Sequence, residues 1–303
     1  MEHFELAIAT DYLPSVTMED IEDRLRAIKN AGFTHIHWCE EWGGDYTYSS
    51  YEIAQIKELV EKYGLKSKGL HSTHGTWTKN IYRDGHYRRD FTSNNEYNRK
   101  AGVELIMNRV DLAVALGASE IVLHLYIPFL TIGTDEQAKE AFYVQVEKSL
   151  DELQPYCLEK GVRICLENLF EFPDEWMLYS WDRLFARYPK EFLGVCYDAG
   201  HANMRWHADA INVLRKYSDR IFCVHLHDNL DTMDAHLLPG MGTVNWEAAM
   251  ELLAKSAYEL PLTLEVVCKM MSEQEYLAKA CEIGKKLTEI YQSYLAIKND
   301  SGV

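Results

Sequence analysis

Apolar positions recur along this chain in one rhythm: an amphipathic helical stretch, a glycine, then a short and almost wholly hydrophobic run. The rhythm is visible in LRAIKNAGFTHIHWCE, LVEKYGLKSKGLHS, LAVALGASEIVLHL and LEKGVRICLEN. Gly32, Gly64, Gly117 and Gly161 each stand where a helical pattern stops. Glycine enters the left-handed conformation of a helix end without a Cβ penalty, so the chain turns there into a strand. Thr17, three residues before Asp20, and Thr134, three before Gln137, are placed to cap helix starts. After Thr134, the residues Phe142, Val146, Leu150, Leu153 and Cys157 follow at three- and four-residue steps, which predicts a helix burying one face.

Eight strands are predicted, at 4–10, 34–39, 66–71, 119–125, 162–167, 192–198, 221–227 and 261–266, with a last helix from Ser272 to Ile297. Strands alternating with helices pair in parallel through right-handed crossovers. Eight such units without a linker or composition break predict a closed α/β barrel of the (β/α)8 TIM type, with 1–303 as a single domain. The competing architecture is an open doubly wound sheet, but no GxGxxG follows the first strand.

Composition narrows the class. The 303 residues are 47% hydrophobic, enough for a large core, and a net charge of −16 argues against a surface built to grip nucleic acid. The seven cysteines are odd in number and form no CxxC pair, which predicts neither a disulfide framework nor a zinc ribbon and favours a reducing cytoplasm. The N-terminus lacks the basic and apolar segments of a secretion signal. The most apolar stretch, Ile121–Ile132, is interrupted by His124 and shorter than the ~18 residues of a membrane span, so no membrane partner is expected.

Chemistry concentrates where the predicted strands end: Glu40 and Glu41, His71, His124, Glu167, Asp198, His225 and His227, and Glu265. Each alone reads as a satisfied polar group, but seven successive strands delivering a carboxylate or imidazole to one rim is the arrangement of a barrel active site. Cys165, Cys196 and Cys223 lie two residues before Glu167, Asp198 and His225, on the same strand faces, and are expected to form a buried layer beneath the rim. Oxygen and nitrogen donors of this kind suit Mn2+, Mg2+, Co2+ or Zn2+ with open positions for substrate. A divalent ion holding a carbonyl and a neighbouring hydroxyl acidifies the C–H between them and stabilises the ene-diolate. Glu167 and Glu265, on the fifth and eighth strands, are placed as a catalytic acid–base pair across that ion.

The motifs Leu166-Glu167-Asn168, Tyr197-Asp198-Ala199-Gly200-His201, Val224-His225-Leu226-His227-Asp228, Asp234-Ala235-His236 with Leu237-Leu238-Pro239-Gly240-Met241-Gly242, and Leu264-Glu265-Val266 follow one another in order. In these the chain resembles the xylose-isomerase-like barrel superfamily, which includes ketose 3-epimerases, inosose isomerases and dehydratases, and type IV apurinic endonucleases. The resemblance implies a shared metal held by Glu167, Asp198, His225 and Glu265, with His227 as the alternative histidine. It implies a sugar isomerase or epimerase of carbohydrate metabolism, acting on a ketose, inosose or related small molecule, in a chain that often forms homodimers. It also leaves room for a lyase or dehydratase on a keto-sugar, and for a multi-zinc phosphodiesterase of the endonuclease kind. For the latter, His71, His124, His201, Asp234 and His236 match extra ligands of a second or third ion. In the sugar reading, those residues and His227 hold substrate hydroxyls. The chain departs from the endonuclease pattern after His124, which is followed by LYIPF, and after His225, where the expected Asn and Lys are missing.

The longest connection, residues 74–100, carries six basic side chains (Lys79, Arg83, Arg88, Arg89, Arg99, Lys100) against three acidic ones. It reads as a surface loop, as a lid with Trp77 and Tyr82 shielding the site and Arg88 clamping an anionic substrate group, or as the one basic patch that a nucleic-acid-binding relative would need. Trp38, Trp42 and Trp206 lie near strand ends, where an indole face can stack on a sugar ring. Glu40 and Trp38 complete the weaker substrate-binding candidates.

Overall fold

Short strands whose side chains are almost all buried can be stable only with protein on both faces, which for parallel strands means a barrel interior on one side and helices on the other. The computed structural model describes residues 4–14, 17–42, 46–74, 89–171, 173–230, 232–269 and 271–301. Its strands are β1 (Leu6–Ala9), β2 (His35–Trp38), β3 (Lys66–His74), β4 (Glu120–His124), β5 (Arg163–Glu167), β6 (Leu193–Asp198), β7 (Ile221–His225) and β8 (Leu262–Leu264). All neighbours pair in parallel in the order β7-β6-β5-β4-β3-β2-β1-β8. The ring closes through a parallel bridge between Leu226 and Leu264, with Leu226 N donating to Thr263 O at 2.9 Å and Glu265 N to Leu226 O at 3.2 Å.

The helices are α1 (Met18–Asn30), α2 (Ser50–Lys62), α3 (Glu96–Leu116), α4 (Phe129–Ile132), α5 (Glu136–Lys160), α6 (Asp174–Arg187), α7 (Ala199–Trp206), α8 (Ala210–Arg215), α9 (Trp246–Lys255) and α10 (Glu273–Ser301). Thr17 caps α1 with Asp20 in the reciprocal capping box that the sequence predicts. The start of α5 differs: Asp135, not Thr134, is the cap, and its carboxylate accepts from Gln137 N at 2.9 Å and Ala138 N at 3.1 Å. A carboxylate outcompetes a hydroxyl for orphan amides because it also meets the positive end of the helix dipole. Gly117 and Gly161 end α3 and α5 in the left-handed conformation, with φ of 70° and 68°.

The large apolar core lies between strands and helices. Inside the barrel, Val122, Cys165, Cys196 and Cys223 form a small separate cluster. By strand alternation this is the middle of three inward layers. Below it, at the strand starts, Lys68 and Arg163 lie 3.4 and 3.8 Å from Glu120. Above it stand His124, Glu167, Asp198 and His225. Arg99, counted above with the basic connection, belongs to α3, where it is buried against Glu96 (2.7 Å), Glu152 (2.5 Å) and Ser149. Trp77, Arg88 and the rest of 75–88 lie outside the described residues. No helix among the described residues is long and apolar enough to cross a membrane.

Candidate functional site

The C-terminal ends of the strands bring the predicted carboxylates and imidazoles together into one buried network. Glu167, at the end of β5, is its hub. Its Oε2 lies 2.9 Å from His124 Nε2, 3.7 Å from His71 Nε2 and 3.2 Å from His225 Nδ1, while its Oε1 lies 3.0 Å from His201 Nδ1. Glu265, just past β8, reaches the same His225 Nδ1 with Oε2 at 3.2 Å. Carboxylates from β5 and β8 thus converge on one imidazole nitrogen from β7.

A second group sits beside the first. Asp198 Oδ2 is 3.0 Å from His227 Nε2, and its Oδ1 accepts from the His201 amide at 2.6 Å as the cap of α7. Asp234 lies 3.5 Å from His201 Nε2, 3.7 Å from His227 Nε2 and 3.1 Å from His236 Nε2. The rings of His227 and His236 stack at 4.1 Å. His225 and His227 are both interior, but they serve different groups: His225 meets Glu167 and Glu265, and His227 meets Asp198 and Asp234. Gly200, at the start of α7, makes this possible, since a Cβ there would run into the His227 ring.

The loop that supplies Asp234 and His236 is fastened from below. The Asp228 carboxylate accepts from the backbone amides of Asn229 (3.0 Å), Gly240 (2.8 Å) and Val244 (3.1 Å) and from Trp246 Nε1 (2.9 Å). Asp228 and Leu237 exchange backbone bonds at 2.8 and 2.9 Å, and Val267 N donates to His236 O at 3.0 Å. His236 itself sits at φ 45°, a left-handed conformation that a non-glycine residue holds only when its surroundings impose it. Asp228 therefore builds the loop, and Asp234 and His236 carry its chemistry into the mouth.

Charge balance inside this buried space is kept by protons. Glu167 stays well below the usual carboxylate range: burial opposes its charge, but His124 and His225 outweigh it. Asp198 is likewise lowered against burial by His201 and His227, and Asp234 by His201 and His236. His201 and His225 are held well above the ordinary histidine value, against burial, by the carboxylates around them, and His236 is raised to about 10 in the same way. Glu265 goes the other way, pushed up to about 8 because burial outweighs its histidine neighbours.

The donor set fits a divalent cation. Buried Nδ1 atoms of His71, His124, His225 and His227, and Oδ1 of Asp234, make no hydrogen bond among the described residues. Several triplets bring their ligand atoms within 4.8 Å of one another, among them His71, His124 and Glu167; His71, His225 and Glu265; and Asp198, His201 and His227. Protons on imidazoles between carboxylates are what a metal ion displaces when it binds.

Two contributors were not anticipated. His37 of β2 is wholly buried, with Nε2 3.2 Å from His225 Nε2. Asp11, in the turn after β1, faces His236 and His225 and is bonded by Trp42; burial raises its pKa. Trp42 stacks on His71 at 4.0 Å. Of the weaker candidates, Glu40 is held by Arg24 at 2.8 Å, and Trp38 points into the helix-packed core with Nε1 donating to Tyr48 at 3.1 Å. Neither is brought to the mouth.

Comparison with known proteins agrees with this architecture. The chain is 34% identical over 284 residues to the uncharacterized protein y4fM of Sinorhizobium fredii (strain NBRC 101917 / NGR234), covering 91% of each. It is 27% identical over 217 residues to the uncharacterized protein MJ1311 of Methanocaldococcus jannaschii, covering 69% of this chain and 67% of that one. Among solved structures, a D-tagatose 3-epimerase-like protein superposes with a TM-score of 0.68 at 23% identity, over 96% of this chain and 99% of that one. The 3-keto-D-glucoside 4-epimerase YcjR of E. coli gives 0.69 at 17% identity, over 93% and 99%. At these identities the structural likeness speaks for the fold. The family profile described as xylose isomerase-like TIM barrel matches residues 25–287, and the chain belongs to that family.

Proposed function

We propose that this chain is a divalent-metal-dependent isomerase or epimerase acting beside the carbonyl of a ketose, inosose or related keto-sugar. The observation that carries the reading is the convergence of Glu167 and Glu265, from β5 and β8, on His225 Nδ1 at 3.2 Å each within a buried mouth. Glu167, Asp198, His225 and Glu265 would hold the ion, Mn2+, Co2+, Mg2+ or Zn2+ by donor type. When bound, the ion polarises the substrate's carbonyl and adjacent hydroxyl and acidifies the C–H between them.

The protein's own groups then divide the proton work. Glu167 and Glu265, on β5 and just past β8, would face the substrate carbon from two sides, one acting ionised as base and the other carrying a proton as acid. Glu167 takes the proton from one face of the carbon, and Glu265 supplies one from the other; the reverse reaction exchanges the roles. His201, His227 and His236 stand where substrate hydroxyls need donors and acceptors. The epimerase names of fold relatives, including an L-ribulose 3-epimerase and a D-psicose 3-epimerase, support a sugar substrate.

One observation favours a second reading. Asp198, His201 and His227 form a candidate ligand group of their own, with Asp234 3.5 Å from His201 and 3.1 Å from His236 beside it, and His71 with His124 offers another around Glu167. Two or three zinc ions there would make a multi-zinc phosphodiesterase.

Glu265→Gln tests the first reading: solvent deuterium incorporation into a keto-sugar should fall about 10²–10⁴-fold with the fold intact. Undiminished exchange removes Glu265 from the mechanism. Elemental analysis of the loaded protein separates the readings, one ion per chain for the sugar enzyme against two to three zinc ions for the phosphodiesterase.

A further inference from the structure

An imidazole that binds a metal uses one ring nitrogen as ligand and keeps a proton on the other, and the partner of that proton decides which nitrogen faces the ion. Carboxylates and backbone carbonyls usually fill that role. His225 has neither. Its Nδ1 lies 3.2 Å from both Glu167 Oε2 and Glu265 Oε2 without hydrogen-bond alignment to either, and the hydrogen-bond partner of its Nε2 is Nε2 of His37, at 3.2 Å. We propose that His37 is the positioning residue of His225, accepting its Nε2 proton so that the Nδ1 lone pair is turned toward the point shared by Glu167 and Glu265. The inference rests on the metal reading above.

The fold holds His37 to this one contact. The β2–β3 register shifts between Ile36 and His37, so that Gly69 rather than Lys68 lies beside His37. Such a bulge re-aims the side chains around it. A Cβ on Gly69 would stand 3.4 Å from Cε1 and Nδ1 of His37 and 3.0 Å from the Glu120 carbonyl, so the ring fills its slot. The two imidazoles meet edge to face at 80°, centroids 4.9 Å apart, which aims a nitrogen of one at a nitrogen of the other. The Nδ1 of His37 makes no hydrogen bond among the described residues, so nothing on the far side dictates its tautomer, and His37 can take the form that His225 requires. Cys223 lies near enough that His37, Cys223 and His225 could instead share an ion. The experiment separates that arrangement from the one proposed.

The test uses the full chain with Zn2+ alone as probe, measuring ions bound per chain and affinity by chelator competition. His37→Leu should weaken zinc at the Glu167–His225–Glu265 centre about 10–100-fold with the number of bound ions unchanged. His37→Gln, whose amide oxygen can accept the same proton, should recover most of the loss, which a merely space-filling role would not predict. Nitrogen-15 NMR of zinc-loaded protein should place a proton on His225 Nε2 and the metal on Nδ1. Should the leucine variant fail to fold, His37→Asn, too short to reach His225, takes its place. Unaltered affinity in the leucine or asparagine variant, or zinc on His225 Nε2, overturns the proposal. So does the loss of a whole ion, which would make His37 a ligand. A wild-type chain that takes up no zinc overturns the metal reading and this inference together. A wild-type chain that binds zinc no more tightly than the leucine variant overturns the inference alone.

Discussion

Both ends of the barrel interior bury charged groups and use them differently. At the strand starts, Glu120 is buried with Lys68 at 3.4 Å and Arg163 at 3.8 Å, and Arg163 also lies over the Phe222 ring at 3.6 Å. At the strand ends, Glu167, Asp198 and Glu265 are buried among histidines. Lysine and arginine bring hydrogen-bond donors and no lone pair, so the lower cluster pairs charge without offering nitrogen ligands and serves as a plug. Histidine releases its proton near neutral pH and then offers a lone pair, so the upper cluster can exchange protons for a metal ion or pass them to a substrate. The middle layer of Val122, Cys165, Cys196 and Cys223 separates the two. What distinguishes the functional end, besides its larger number of carboxylates, is the kind of base beside them.

Substituting one carboxylate at each end tests that distinction most directly. Glu167→Gln removes the hub of the upper network, and proton exchange into substrate should fall about 10³–10⁴-fold, with thermal stability changed little beside it. Glu120→Ala should do the reverse. Removing one member of a buried ion pair costs 3–5 kcal/mol where the other charge is stranded. Lys68 and Arg163 are 13% and 23% exposed and can turn toward water, which brings the expected loss to about 2–3 kcal/mol with kcat/KM unchanged. Denaturant unfolding and steady-state kinetics on both variants check the pair. Equal catalytic losses would erase the distinction between the two ends.

The barrel was legible because its signals are local. Glycine after helix and apolar run before polar rim place each strand within about two residues of where it lies, except at the end of β3, which runs on to His74 instead of ending at 71. Strand alternation likewise places the cysteine layer beneath Glu167, Asp198 and His225. The rim of β2 differs from the expected one for a local reason too. In His35-Ile36-His37-Trp38, alternation already puts His37 on the same face as His35. The acidic pair Glu40-Glu41, expected at this rim, lies beyond the strand, where Arg24 holds Glu40. The division of labour between His225 and His227 was not legible at all. Alternation sends both inward, and what separates them is non-local: Gly200 admits the His227 ring, and Asp228 ties down the loop that carries Asp234 and His236.

The upper cluster should also betray its exchangeable protons through pH. In the metal-free chain Glu265 is raised from 4.5 to about 8 and His236 from 6.5 to about 10. Both folded values lie above the unfolded ones. Their stabilisation is therefore full below pH 4.5 and 6.5 respectively, and is lost as pH rises through about 8 and then about 10. Chelator-treated protein should melt at a lower temperature at high pH than at neutral pH, and Glu265→Gln should remove the earlier part of the decline. Saturating Zn2+ should blunt it, since ionised carboxylates and neutral imidazoles are the forms that bind metal. A melting temperature indifferent to pH in metal-free protein would mean that the upper cluster is as fixed as the lower.

The smallest effect probes the layer between the two ends. Cys196 can share an ion with Glu167 and His225, and Cys223 with His37 and His225, as far as proximity goes. Yet burial pushes the Cys196 thiol well above its ordinary pKa, with neighbouring Cys223 and Glu167 adding to the rise, and metals take the thiolate. The layer should therefore act as packing. Cys196→Ala then removes one buried sulfur and leaves a small void, a loss of about 1 kcal/mol by the usual cavity relation. The number of zinc ions per chain, their affinity and the exchange rate into substrate should all stay at wild-type values. A missing ion in this variant would extend the metal site down into the middle layer. The boundary between the functional end and the structural one would then lie one layer lower, between the cysteines and Glu120.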